Sequence, residues 1–556
     1  MGLSLWHQER TQWAVHPGTL SSAALPRPLL RSPDMSCGRW KPTMVAQGVL
    51  WVLLALLLPP EPGTASLPLL MDSLVQALSV LEKNAEPEAG AAAAEWPLLA
   101  PDVLDPLYVF LLDGQSLLAA KPGAPGLSPE IRALASELAL HSVQGRQERG
   151  VVLAPDGSTV AVQPLLAGLQ AGRRGRRAVP LPVDSRDASG SAGAPGFRFS
   201  SPDTHSFSPN ASAESPTTVD SLLGVTLARN LGLAFLHGPQ VQSHPGLGSD
   251  GCWDQLSAPR NFTLLDPEAS PLTLAFLNGA LDGLILGDYL SRAPEPQPLL
   301  SHLLGQYYGP GVAGDSELRS NFRRQNAAPL TETPTLAQQV WGALLLLQKL
   351  EPEHPQLQGL GQEQLAKVAT HAATEFTESF LGCPAIHPRC LWGAAPYKGS
   401  PKLLQLPLSN LYVHHTYLPS APCTDLAHCA ADMRSMQSFH QKTRGWDDIG
   451  YSFVVGSDGY VYEGRGWRWV GAHTRGHNTH GFGVAIIGNY SAQLPAEHAL
   501  RTVRLELPQC AVRAGLLRPD YALLGHRQLV ATDCPGEALF QHLRSWPHFY
   551  ETKKRP

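Results

Sequence analysis

Two patterns of apolar spacing divide the chain. In the first, apolar positions recur every three or four residues, beginning with Leu69, Leu70, Leu74, Ala77, Leu78 and Leu81. That period marks a helix with one buried face. It predicts helices over 67–83, 130–143, 221–235, 271–290, 336–350 and 362–380. Gly-, Ser- and Pro-rich spans separate them, the clearest being 184–210, which is predicted to be disordered. After about residue 400 the second pattern begins. A short apolar run over 411–416 reads as a strand. A helix is predicted over 425–443, with Thr424 as its N-cap and Met433, Met436 and Phe439 on one face. Tyr451-Ser-Phe-Val-Val and Tyr460-Val-Tyr-Glu flank Asp458-Gly459, the pattern of a β-hairpin. A buried strand over 482–487 and helices over 496–513 and 537–544 follow. Strands alternating with helices predict one α/β domain here.

At 556 residues the chain predicts two or three domains. Its 43% apolar content, 16% charged content and net charge of −5 give no basic excess, and so no reason to expect nucleic acid. Near the N-terminus, the run Val49 to Leu58 is ten residues long and is followed by Pro59, Pro60 and the small residues Gly63, Thr64 and Ala65. A membrane-spanning helix needs about 20 residues, so the run reads as the core of a secretory signal peptide over 44–65. A signal anchor or a short buried helix is the alternative. Residues 1–43 then form an upstream extension, polar, Pro-containing and expected to be unstructured, and no later segment reaches spanning length. The sequons at Asn210, Asn261 and Asn489 fit an extracellular product. Arg174 to Arg177 has the R-x-R-R form of a convertase site, or is an exposed basic loop. The segment 66–380 contains no motif that names a chemistry.

Cleavage near Ala65 would remove Cys37 and leave seven cysteines, an odd number for an oxidising compartment. Cys423 and Cys429 form a local pair across one turn. Eleven of the 21 histidines follow residue 400. Imidazole and thiolate together make a zinc donor set, and His414 or His415, His526 and Cys534 supply it. Setting Cys534 aside leaves six cysteines for three disulfides, with Cys390–Cys510 as one assignment. Core histidines and a spare buried thiol are the other interpretation. Strand alternation sends His414 and His415 to opposite faces without saying which faces a metal.

The runs VHHTYLPSAPC, GWDDIGYSFVVGSDGYVYEGRGW, GHNTHGFGVAIIGNY and LLGHRQLVATDCPG resemble the animal peptidoglycan recognition protein domain, itself similar to phage and bacterial zinc amidases. The resemblance covers about 385–550 and implies a mixed central β-sheet flanked by helices; the apolar spacing before it predicts a mainly helical, loop-rich N-terminal region. It implies that His414, His526 and Cys534 bind Zn2+, that Tyr451 sits beside the attacking water, and that Thr532 lies near the scissile carbonyl, where phage relatives carry lysine. His415, Thr416, His440, Trp446 and His473 match positions lining a groove for muramyl-peptides. Gly445-Trp446 with Arg465 resembles the form associated with diaminopimelate-type stems, whose extra carboxylate an arginine can pair.

The implied reaction is hydrolysis of the amide joining N-acetylmuramic acid to L-alanine in bacterial peptidoglycan. The alternative is a non-catalytic protein that binds peptidoglycan in the same groove. Binding-only relatives lose the cysteine or the first histidine, and this chain keeps both. Tyr451 could instead be a strand tyrosine packed at the hairpin. No stable membrane anchor is expected.

Overall fold

The computed structural model describes residues 69–84, 151–180 except 174 and 177, 218–236, 274–312 except 295, and 318–552 except 351. The expectations for 1–43, 44–65, 130–143, 184–210, Asn210 and Asn261 lie outside the described residues. Among the described residues, no helix is long and apolar enough to cross a membrane.

Two apolar cores follow one another along the chain. The first gathers residues from Met71 to Leu381. It is built from helices α1 (Met71–Asn84), α2 (Val162–Arg173), α3 (Leu274–Arg292), α4 (Leu300–Tyr307), α5 (Thr333–Leu350) and α6 (Gln362–Glu375), with a helical run over 221–236. Glycine lowers helix propensity, and α2, which was not among the predicted helices, carries Gly168 and Gly172. They are packing positions. A Cβ on Gly172 would lie 2.1 Å from the carbonyl oxygen of Gly287 in α3, and one on Gly168 2.3 Å from the carbonyl carbon of Gly283. Only glycine lets these two backbones touch.

The second core runs from Ile386 to Trp546. It lies on a six-stranded sheet ordered β6-β2-β5-β3-β4-β1. The strands are β1 (Ile386–His387), β2 (Leu408–His415), β3 (Phe453–Val455), β4 (Val461–Glu463), β5 (Gly481–Ile486) and β6 (Leu517–Gly525). All neighbours are parallel except β3 with β4, so the sheet is mixed, as expected. Helix α7 (Leu426–Lys442), a helical run over 497–513 and α8 (Glu537–Leu543) complete the domain.

Two local expectations need correction. Asp425, not Thr424, caps α7: its backbone is extended and its carboxylate accepts from His428 N–H at 2.9 Å. Thr424 instead offers its carbonyl to Val312 N–H at 2.9 Å. Cys510 pairs with Cys383, not Cys390, and Cys390 is itself disulfide-bonded. The bond ties the end of the helical region to the 497–513 run, a proximity that no local spacing reveals. Arg176 is exposed, as the basic-loop reading expects, and it pairs with Asp220 at 2.8 Å and Asp288 at 2.7 Å. Cys423 and Cys429 are bonded as expected.

The regions meet through buried polar groups. Arg323 grips Asp282 with two hydrogen bonds of 3.0 Å and reaches Asp156 and the Tyr460 hydroxyl at 3.4 Å. Tyr460, from the second core, donates to Asp156 at 2.7 Å. Tyr307 and Tyr308 donate to the two oxygens of Asp282 at 2.5 and 2.6 Å.

Candidate metal centre

Parallel pairing puts the C-terminal ends of β2 and β6 side by side, with Gly525 level with Val413. His414 is the next residue on β2 and His526 the first beyond β6, so two imidazoles emerge together at one sheet edge. Such edges are where open α/β sheets gather ligand-binding groups. The ring centroids of His414 and His526 are 4.4 Å apart. The chain then loops back: Arg527 N–H donates to the carbonyl of Cys534 at 2.8 Å, and Cys534 N–H donates to the Thr532 hydroxyl at 3.3 Å. This loop brings Cys534 Sγ to 3.6 Å from Nδ1 of His414. One donor atom each from His414, His526 and Cys534 lies within 4.8 Å of the others. Among the described residues, no other such group occurs.

Burial sets the protonation of this group. It holds His414 well below the ordinary imidazole value, with His526 adding repulsion, and lowers His526 to about 4. Both rings are therefore neutral at pH 7, the form with a free lone pair. Burial also pushes the Cys534 thiol up to about 12. A cation held there would reverse that preference and release the proton. Two neutral imidazoles and a thiol in a convergent, partly buried cluster fit a borderline-soft metal ion and leave a coordination position open.

The remaining residues named from the sequence fall into three groups. Tyr451 and His473 pack against the cluster, their rings 5.4 Å from that of His414. Burial, with the Cys534 charge behind it, keeps the Tyr451 phenol protonated well above its usual range. His440 lies beyond Tyr451 at 5.9 Å and stacks on the half-exposed Trp446 at 4.8 Å. These four continue outward from the donor set. Thr532 is half-buried in the Cys534 loop.

His415, Thr416 and Arg465 are not brought into the donor set. His415 points to the opposite face, where Nδ1 accepts from Tyr490 N–H at 3.2 Å. The Thr416 hydroxyl donates to the Pro419 carbonyl and accepts from Gly488 N–H, both at 2.9 Å. Arg465 is buried, donating to the carbonyls of Ile449 at 2.8 Å and Val470 at 2.9 Å. Asn489 is half-buried, and its side-chain oxygen accepts from Ser491 N–H at 3.1 Å. Thr474, whose hydroxyl touches both His414 and His473, was not singled out from the sequence; its only signal was its place beside His473.

Residues 404–537 match the family model described as N-acetylmuramoyl-L-alanine amidase. Over 567 aligned residues the chain is 64% identical to an N-acetylmuramoyl-L-alanine amidase of Sus scrofa, covering 93% of this chain and 95% of that one. It is 64% identical over 554 residues to one of Homo sapiens, covering 92% and 96%. Peptidoglycan-recognition protein LB of Drosophila melanogaster is 44% identical over 158 residues, 28% of this chain and 67% of that protein.

Proposed function

The chain belongs to the N-acetylmuramoyl-L-alanine amidase family, and from that premise we propose that it is a zinc amidase whose centre is His414, His526 and Cys534. It hydrolyses the amide between N-acetylmuramic acid and L-alanine of bacterial peptidoglycan, acting on muramyl-peptides as an innate-immune scavenger. The observation that carries this reading is the convergence of those three donor atoms within 4.8 Å, inside the segment that matches the amidase model. The intact donor set also favours catalysis over recognition alone.

When bound, zinc supplies Lewis acidity, which makes water nucleophilic near neutral pH and polarises a carbonyl. The chain's own residues do the rest. Tyr451 remains a protonated phenol beside the cluster, able to orient the attacking water or to stabilise developing negative charge by donating a hydrogen bond. Thr532 accepts from Cys534 N–H and keeps its own O–H to donate to a tetrahedral oxyanion. The His440–Trp446 stack offers a wall for the muramyl-peptide, with His473 behind it. Gly445-Trp446 and Arg465 would favour a diaminopimelate-type stem. His415 and Thr416 shape the groove floor by holding the 416–420 and 488–490 turns.

The domain over 385–550 carries the activity, preceded by the helical region over 66–380. Secretion is supported by the apolar run over 49–58 and by the Cys383–Cys510 and Cys423–Cys429 disulfides, which persist in oxidising compartments. The test is Cys534→Ser in the full chain. It is expected to lose zinc and peptide release while still binding muramyl-tripeptide; a fully active variant would refute the ligand role.

A further inference from the structure

The turn after β4 carries a residue that the chemistry above does not use. Thr474 is fully buried between two imidazoles. Its Oγ1 lies 3.1 Å from Nδ1 of His473 and, at the long end of hydrogen-bond range, 3.4 Å from Nε2 of His414. The two nitrogens of His414 thus have different neighbours: Nδ1 faces Cys534 Sγ, and Nε2 faces the Thr474 hydroxyl.

A neutral imidazole carries one proton. For Nδ1 to offer a lone pair toward the Cys534 and His526 side, that proton must sit on Nε2. The one hydrogen-bond partner of Nε2 among the described residues is Thr474 Oγ1. A hydroxyl that accepts there still has one proton to give, and Nδ1 of His473 is in reach to take it. His473 must then carry its own proton on Nε2, a buried nitrogen with no hydrogen-bond partner among the described residues, and that unpaired N–H is the cost of the arrangement.

We propose that Thr474 is a positioning residue for the metal centre. Its hydroxyl accepts from Nε2–H of His414 and donates to Nδ1 of His473, so that one buried side chain selects the tautomers of both rings. The inference rests on the zinc reading of the site. The threonine is itself fixed, because the N–H groups of His473 and Thr474 both donate to Asn478 Oδ1, at 3.0 and 2.7 Å. The His473 ring is walled in as well. A Cβ on Gly483 would lie 2.3 Å from its Cγ, and one on Gly471 2.3 Å from its Cδ2. Partners that orient a ligating histidine through its second nitrogen commonly change metal affinity by about 10–100-fold.

The test uses the full chain and zinc itself, with affinity measured by competition against a chromogenic chelator. Thr474→Val keeps the shape and removes the hydroxyl; it is expected to weaken zinc binding by about 10–100-fold. Thr474→Ser restores the hydroxyl and is expected to bind zinc close to wild type. Independently, long-range proton–nitrogen spectra of histidine-labelled, zinc-loaded wild type should show His414 protonated on Nε2. Wild-type affinity in Thr474→Val, or a proton on Nδ1 of His414, overturns the inference and leaves the zinc site standing. A wild-type chain that binds no zinc overturns both. If Thr474→Val does not fold, the wild-type spectra decide alone.

Discussion

The helical region and the sheet domain both bury polar side chains, and they do so to opposite ends. In the helical region Asp282 is fully buried and receives four donors: two tyrosine hydroxyls and two nitrogens of Arg323. Every acceptor direction is taken, so the cluster has nothing left to bind. In the sheet domain His414, His526 and Cys534 converge with only loose contacts among themselves, such as the 3.6 Å between Cys534 Sγ and His414 Nδ1. Burial there leaves lone pairs waiting for a cation. Saturated burial holds a fold together; unsaturated, convergent burial is chemistry.

Breaking each cluster should therefore give opposite phenotypes. Arg323→Met leaves Asp282 and Asp156 buried without their cation and is expected to cost about 3–5 kcal/mol in denaturant unfolding. Cys534→Ser, compared with wild type in the absence of zinc, is expected to leave the unfolding midpoint near its starting value. If the two variants lose stability equally, the contrast fails.

Removing the Cys383–Cys510 bond comes next. It spans 127 residues and ties the two regions together. The double replacement by alanine is expected to cost about 2–4 kcal/mol while zinc content stays at one per chain. Loss of zinc in that variant would show that the metal centre depends on the junction.

A pH-dependent effect concerns Asp458, at the hairpin tip that meets Asn321 of the helical region. Burial raises its carboxyl to about 7, against hydrogen bonds from the Tyr462 hydroxyl and Tyr460 N–H that lower it, with Asp425 adding repulsion. Its folded value lies above the unfolded 3.8, so the fold favours the protonated form. That contribution is complete below pH 3.8 and is lost as pH rises through about 7. Asp458→Asn should flatten this part of the stability profile, read from urea midpoints between pH 4 and 8; an unchanged slope would remove Asp458 from the account.

The same contrast explains what the sequence made legible. The strand carrying His414 and His415, the Asp-Gly hairpin and the Cys423–Cys429 bond are local in sequence, and local spacing reveals them. The residue types of the donor set were chemically marked, but His414 or His415 stayed open until the resemblance to the recognition-protein domain chose His414. The Arg323 cluster carried no such mark: its partners lie 41, 167 and 137 residues away, and single aspartates and tyrosines have no period. Helix α2 was not among the predicted helices, and what its Gly168 and Gly172 do, close contact with α3, is visible only in the fold. Cys383 and Cys390 were equally good partners for Cys510 on paper, and only the fold distinguishes them.

The central claim is that unsaturated burial at the ends of β2 and β6 makes a zinc amidase. It is tested most directly by incubating the purified full chain with muramyl-tripeptide and following peptide release by mass spectrometry. Three arms suffice: zinc-replete, chelator-treated, and chelator-treated then resupplied with zinc. The account predicts release in the first, none in the second and recovery in the third. No release from the zinc-replete chain, or equal release after chelation, would contradict it.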